Sequence, residues 1–205
     1  MSKNSIILLL ILSFAPLKTY GKDLGDRFSK PFGFELGKTT LLKIRNKLGD
    51  AKIHEKGNAA AYTATICYSS KNNEVIEFKS GELGHWNLGF NAYLLRNKRA
   101  KGEMECGELP KASMESKNIN IDGLILGITK DKLIEVIGSE PRIEKDTLYF
   151  TFDWQRDMTK DEKEKMKKQW PDMPPGAKYD VYVSIKAKIK NNRLVELTVW
   201  KSETF

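Results

Sequence analysis

Near the C-terminus, Val181, Val183, Ile185, Ala187 and Ile189 alternate with Tyr182, Ser184, Lys186, Lys188 and Lys190. A period of two marks a strand with one buried face. Residues 193–201 repeat the pattern, with Val195, Leu197 and Val199 set against Leu194, Glu196, Thr198 and Trp200. Asn191-Asn192 between them suits a tight turn, because asparagine tolerates positive φ. Residues 148–154 form an aromatic-rich strand, and residues 61–69, 74–79 and 85–94 read as comparable strands in the first half.

Two short stretches follow the helical period instead. Thr40, Ile44, Leu48 and Gly49 recur at one constant offset as Thr129, Leu133, Ile137 and Gly138, and Glu55-Lys56 recurs as Glu144-Lys145. Each threonine is placed to N-cap a helix. The apolar residues four and eight positions on fall on one helix face. The glycine then offers a left-handed C-cap, and Pro141 bars continuation of the second copy. The expected fold class is therefore α+β: two tandem repeats, each a short helix packed on an antiparallel sheet. The expected units are 22–110 and 121–205, joined by a linker at 111–120, with a helical insert at 155–178 in the second. Thr159-Lys160-Asp161-Glu162 is a capping-box sequence. Met158, Met166 and Trp170 form the insert's thin apolar stripe, which either tucks it onto the body or projects as a contact element. Pro171, Pro174 and Pro175 end it.

The N-terminus changes the picture of where the chain works. Lys3 precedes an apolar run, Ile6 to Ala15 with one serine, and Thr19-Tyr20-Gly21 follows with small residues where a signal peptidase reads. Residues 1–21 are thus expected to be a cleavable signal peptide, giving a periplasmic or secreted protein that starts near Lys22. The run is short of the roughly 20 residues a spanning helix needs. No cysteine near the cleavage site offers a lipid anchor, so neither membrane span nor anchor is expected. Processing removes Lys3 and Lys18 from a chain of formal charge +8. The remaining basic balance suits an acidic protein or an anionic envelope polymer, and export makes nucleic acid the poorest fit. In an oxidising compartment Cys67 and Cys106 are expected to pair.

The run Leu126-Gly127-Ile128-Thr129, then Leu133, Ile137-Gly138, Pro141 and Asp146-Thr147-Leu148-Tyr149, resembles the SmpA/OmlA family of small outer-membrane lipoproteins. It is also similar to the tandem units of the beta-lactamase inhibitor protein fold. The likeness covers most of 121–153 and, less closely, 34–56. The chain departs from it in lacking the lipid-bearing cysteine, in one extra residue after Gly37, and in Glu140 before the proline. The resemblance implies helices on one side of each sheet and an open, protein-binding surface on the other. It carries no catalytic residue.

Chemistry-bearing motifs are scarce. His54, read as lying in the loop after the first helix, and His85 are the only histidines. No HExxH, EF-hand loop, nucleophile elbow or phosphate-cradling glycine loop occurs, so no metal, cofactor or catalytic group is implied. The candidate binding residues lie on the less apolar strand face: Tyr149, Tyr182 and Trp200, with Lys186, Lys188 and Lys190, and Trp170 of the insert at the rim. Such a face suits an acidic, partly apolar protein partner. Alternatively, the lysine stems and rings simply cover a solvated sheet. The expected function is a non-enzymatic, exported protein-binding module, an inhibitor or immunity protein. The alternatives are an envelope-maintenance or outer-membrane assembly factor, and a small hydrolase.

Overall fold

The computed structural model describes residues 18–58, 61–81, 89–97, 104–110 and 118–205. Helix α1 (Lys18–Phe28) leads through a turn at Pro31–Gly33 to α2 (Leu41–Leu48), followed by strands β1 (Ile53–Lys56), β2 (Thr63–Ser69), β3 (Glu74–Ser80) and β4 (Phe90–Asn97). A two-residue strand β5 (Gly107–Glu108) precedes α3 (Lys130–Ile137). Then come β6 (Arg142–Glu144), β7 (Thr147–Asp157), α4 (Lys160–Gln169), β8 (Lys178–Lys190) and β9 (Arg193–Thr204). The fold is α+β. Its strands form one sheet in the order β1-β2-β3-β4-β9-β8-β7-β6, antiparallel throughout, with β5 alone pairing in parallel on β2. The order of a helix and then four antiparallel strands occurs twice, and the last strand of each run, β4 and β9, meets the other.

The helices begin where the threonines stand. The Lys43 N–H donates to Thr40 Oγ1 at 3.2 Å, and the Lys132 N–H to Thr129 Oγ1 at 3.3 Å. Each side chain thereby satisfies one of the donors a helix start leaves open. Gly138 adopts the left-handed cap, φ 72° and ψ 23°. Gly49 also has positive φ, but its ψ of 170° sends the chain straight into an extended path.

Leu41, Ile44 and Leu48 of α2 and Leu133 and Ile137 of α3 are buried in one core with residues from every long strand. Phe78 of β3 is met edge-on in that core by Phe34, Tyr68 and Phe90 at centroid distances of 5.9, 6.5 and 5.4 Å. Tyr93 of β4 is wholly buried, and its hydroxyl donates to the Phe28 carbonyl at 3.0 Å. That bond lets a polar group sit in the core without the cost of an unmet hydroxyl. Helix α1 crosses β7 so closely that a Cβ on Gly25 would sit 2.5 Å from the Trp154 ring.

Several expectations need correction. His54 lies on β1, not in a loop, and its Nε2 meets the Glu105 carbonyl at 3.0 Å. β1 and β6 are too short for alternation to reveal them. The third strand of the first half starts at Phe90, while residues 82–88, with His85, lie outside the described residues. The insert is narrower than 155–178, because β7 runs on to Asp157 and β8 begins at Lys178. Ile119 is buried and its N–H donates to Glu74 Oε2 at 2.5 Å, so the end of the expected linker belongs to the core. In β9 the alternation slips. Lys188 pairs with Glu196 but Ile189 with Leu194, so the extra residue turns Leu194 inward and leaves Val195 partly exposed.

Candidate binding face

Residues directly opposite one another in a sheet share a face, so the register lays out the surface away from the helices. One row runs Arg142, Tyr149, Lys186, Thr198, Leu94. The next runs Thr151, Ser184, Trp200, Ala92, and the next Asp153, Tyr182, Ser202. Lys188 and Glu196 lie on the opposite flank. Tyr149, Tyr182, Trp200, Lys186 and Lys188 therefore share one face.

Tyr182 is 40% exposed and Trp200 37%. Trp200 is flanked across the strands by the small side chains Ser184 and Ala92, beside which its side chain stays partly exposed. Tyr149 is half-buried, with the Arg142 guanidinium 4.9 Å and the Lys186 ammonium 5.9 Å from its ring centroid, both within cation–π range. The face is thus cationic around Tyr149, aromatic in the middle and acidic at Asp153. The same side of the first half is closed: Val75 and Cys67 are fully buried. There the Glu77 carboxylate accepts from Arg96 at 2.7 and 3.0 Å and pairs with Lys79 at 3.0 Å. Burial alone would push that carboxyl up, but these two cations hold it below its ordinary range. Cys67 projects on this side too, its sulfur at bonding distance from Cys106 and the Cα atoms 4.8 Å apart.

Trp170 is not brought to this face. It meets Phe205 edge-on at 5.1 Å, and Phe205 in turn meets Tyr179 at 6.1 Å. Tyr179 pairs with Arg156 and so lies on the helix-covered side. The Arg156 guanidinium, 4.5 Å over that ring, donates to Glu162 at the start of α4 at 2.7 and 2.9 Å and also bonds Glu203 of β9. Thr159 and Glu162 complete the capping box. Arg156 therefore ties the insert to the end of the sheet. Its hydrogen bonds hold Glu162 down to about 2. Burial works the other way on Glu203, but Arg156 and Lys201 outweigh it and lower that carboxyl too.

A carboxylate whose folded pKa is depressed stabilises the fold above its unfolded value, and the gain disappears as pH falls through the folded one. Stability from this network is expected to be complete at pH 7 and to drain away from about pH 4.5 to about pH 2. Arg156→Ala is expected to cost about 1 kcal/mol at pH 7, an amount discounted for the solvent around these groups. Urea unfolding at pH 7 and pH 2 checks this: the gap between variant and wild type should close at the lower pH.

Arg142 and Asp153 were not among the sequence candidates. Asp153 was legible, since Tyr149, Thr151, Asp153 and Gln155 alternate with buried Leu148, Phe150 and Phe152. Arg142 was not, because three residues carry no period. Among the described residues no helix is long and apolar enough to cross a membrane, and no cluster of three or more His, Cys, Asp or Glu is placed to hold a metal. No protein-family model matches the chain, and neither a curated protein nor a solved structure does.

Proposed function

We propose that the chain is an exported, non-enzymatic protein-binding module that inhibits or neutralises another envelope or secreted protein. The observation that carries this reading is the pair Tyr182 and Trp200, large aromatics left exposed on a sheet face beside small or polar neighbours. Aromatic rings recur as the anchors of protein interfaces because they bury much area at little entropic cost. Lys186, Lys188 and Arg142 beside Tyr149 supply the complement to an acidic patch on the partner, acting mainly on association rate. The likeness to tandem inhibitor units agrees with this role, with residues 34–94 and 121–201 read as two copies of one unit. Export rests on the apolar run before Lys18. Cleavage after Gly21 cuts within α1 and leaves Lys22–Phe28 on β7.

Trp200→Ala and Tyr182→Ala test the reading. Each is expected to weaken binding to the partner at least about 30-fold, a loss of about 2 kcal/mol, with circular dichroism unchanged. Unchanged affinity in an intact fold would overturn it.

A further inference from the structure

The outer edge of β7 is a separate feature from the aromatic face. β6 pairs only with Thr147, Leu148 and Tyr149, whereas β7 continues to Asp157. The Ile189 N–H donates to the Asp146 carbonyl at 2.7 Å, and from that bond the antiparallel register dictates which backbone groups turn toward β8. Leu148, Phe150, Phe152, Trp154 and Arg156 bond inward. Thr151, Asp153, Gln155 and Asp157 direct their N–H and C=O groups outward. The Asp157 carbonyl accepts from Arg156 at 3.2 Å. Among the described residues, the N–H groups of Thr151, Asp153 and Gln155 have no hydrogen-bond partner. The stretch contains no proline, and its pairing with β8 runs without a bulge, so of the devices that usually blunt a free edge it carries charged side chains, Asp153 and Asp157 on the open face and Arg156 on the other.

We propose that this edge accepts an extended segment of a partner protein as an added strand, with lysine or arginine at the positions that meet Asp153 and Asp157. Strand addition satisfies the outward backbone groups, and the side chains along the edge select the sequence. On the open face those side chains are Thr151, Asp153, Gln155 and Asp157, and Asp180 stands beside them, its carboxylate oriented by Gln155 Nε2 at 3.0 Å. A cavity of about 480 Å³ opens beside Asp153, Asp180 and Tyr182, with Lys22 and Lys178 also on its wall. Lys178 Nζ lies 3.5 Å from the Asp157 carboxylate, an exposed pair that an incoming lysine or arginine would share, while Asp153 and Asp180 offer the remaining negative charge. In a second copy paired on this edge, a two-fold axis through Gln155 sets Asp153 against Asp157 and one through Asp153 sets it against itself, and like charges directly opposite destabilise a pair. An axis through Trp154 sets Asp153 against Gln155 and Asp157 against Thr151 without that repulsion, so self-pairing is an outcome the experiment must exclude. Helix α1 packs on the other side of β7. Gly21 and Lys22 of α1 approach the edge: a Cβ on Gly21 would sit 3.6 Å from the Asp153 carbonyl, and Lys22 borders the cavity beside it.

The proposal shares with the preceding section only the premise that the partner is a protein. Its probe is a blocked heptapeptide of alternating lysine and threonine, with the glutamate–threonine peptide as control, added to saturation to the purified protein. Amide hydrogen exchange is read by NMR. The lysine peptide is expected to slow exchange about tenfold or more at Asp153 and Gln155, leaving Phe152 and Trp154, already bonded to β8, unchanged. Asp153→Lys with Asp157→Lys should transfer the effect to the glutamate peptide. Trp200→Ala should leave it in place, so the two readings fail separately. No slowing, equal slowing by both peptides, or protection of these amides in a peptide-free dimer would each overturn the proposal.

Discussion

Phe78→Ala is expected to destabilise the protein by about 4 kcal/mol, close to the most a single core truncation does. Phe78 is fully buried on β3. Its ring is the hub that Phe34, Tyr68 and Phe90 meet edge-on, so removing it strips contacts from three other rings at once. The surrounding structure has little freedom to collapse. β3 is held on both sides, by β2 through five residue pairs and by β4 through seven, and these registers cannot shift without breaking the ladder. The cavity therefore stays open, and its cost adds to the lost transfer energy. Phe78→Leu keeps most of the volume and should lose only about 1–2 kcal/mol. Equilibrium urea unfolding of the two variants measures both values. A loss under 1 kcal/mol for alanine would mean that the core is not organised around this ring.

Breaking the Cys67–Cys106 link is expected to cost a comparable amount. The two residues are 39 apart in sequence, and closing such a loop removes up to about 4 kcal/mol of entropy from the unfolded chain. The segment after Met104 is otherwise held by a few contacts, among them buried Leu109, whose N–H donates to the Ser69 carbonyl at 3.0 Å. β5 contributes two paired residues, and His54 adds one bond to the Glu105 carbonyl. Cys67→Ala with Cys106→Ala should thus lower stability by up to about 4 kcal/mol and speed amide exchange most at residues 105–108. Reduction of the wild type with dithiothreitol should reproduce the loss. A variant as stable as the oxidised protein would contradict it.

Much of the fold was legible because the sheet is exposed on one side in the second half. There Val181 to Ile189 alternate cleanly, and the register confirms that their polar neighbours face away from the helices. The helix starts were legible because a threonine cap is a local device. In the first half the signal is weaker, since β2 and β3 are buried on both faces and read as near-continuous apolar runs. What the sequence could not reveal is non-local. Ala92 against Trp200 and Leu94 against Thr198 join the two halves into one sheet, yet no residue near either strand announces the pairing. The slip that turns Leu194 inward depends on the partner strand, so alternation placed Val195 there instead. Trp170 looked like a rim contact because its ring partner, Phe205, is remote in sequence.

The central claim is that the sheet face around Tyr182 and Trp200 engages another protein outside the cytoplasm. The most direct test places a photo-crosslinking amino acid at Ser202, which pairs with Tyr182 on that face, and a second at Lys43, exposed on α2. Irradiation in intact cells should give one discrete protein adduct from position 202 and none from position 43. That adduct should disappear when Trp200→Ala and Tyr182→Ala are added. Equal adducts from both positions, or a position-202 adduct that survives the two alanines, would contradict the account.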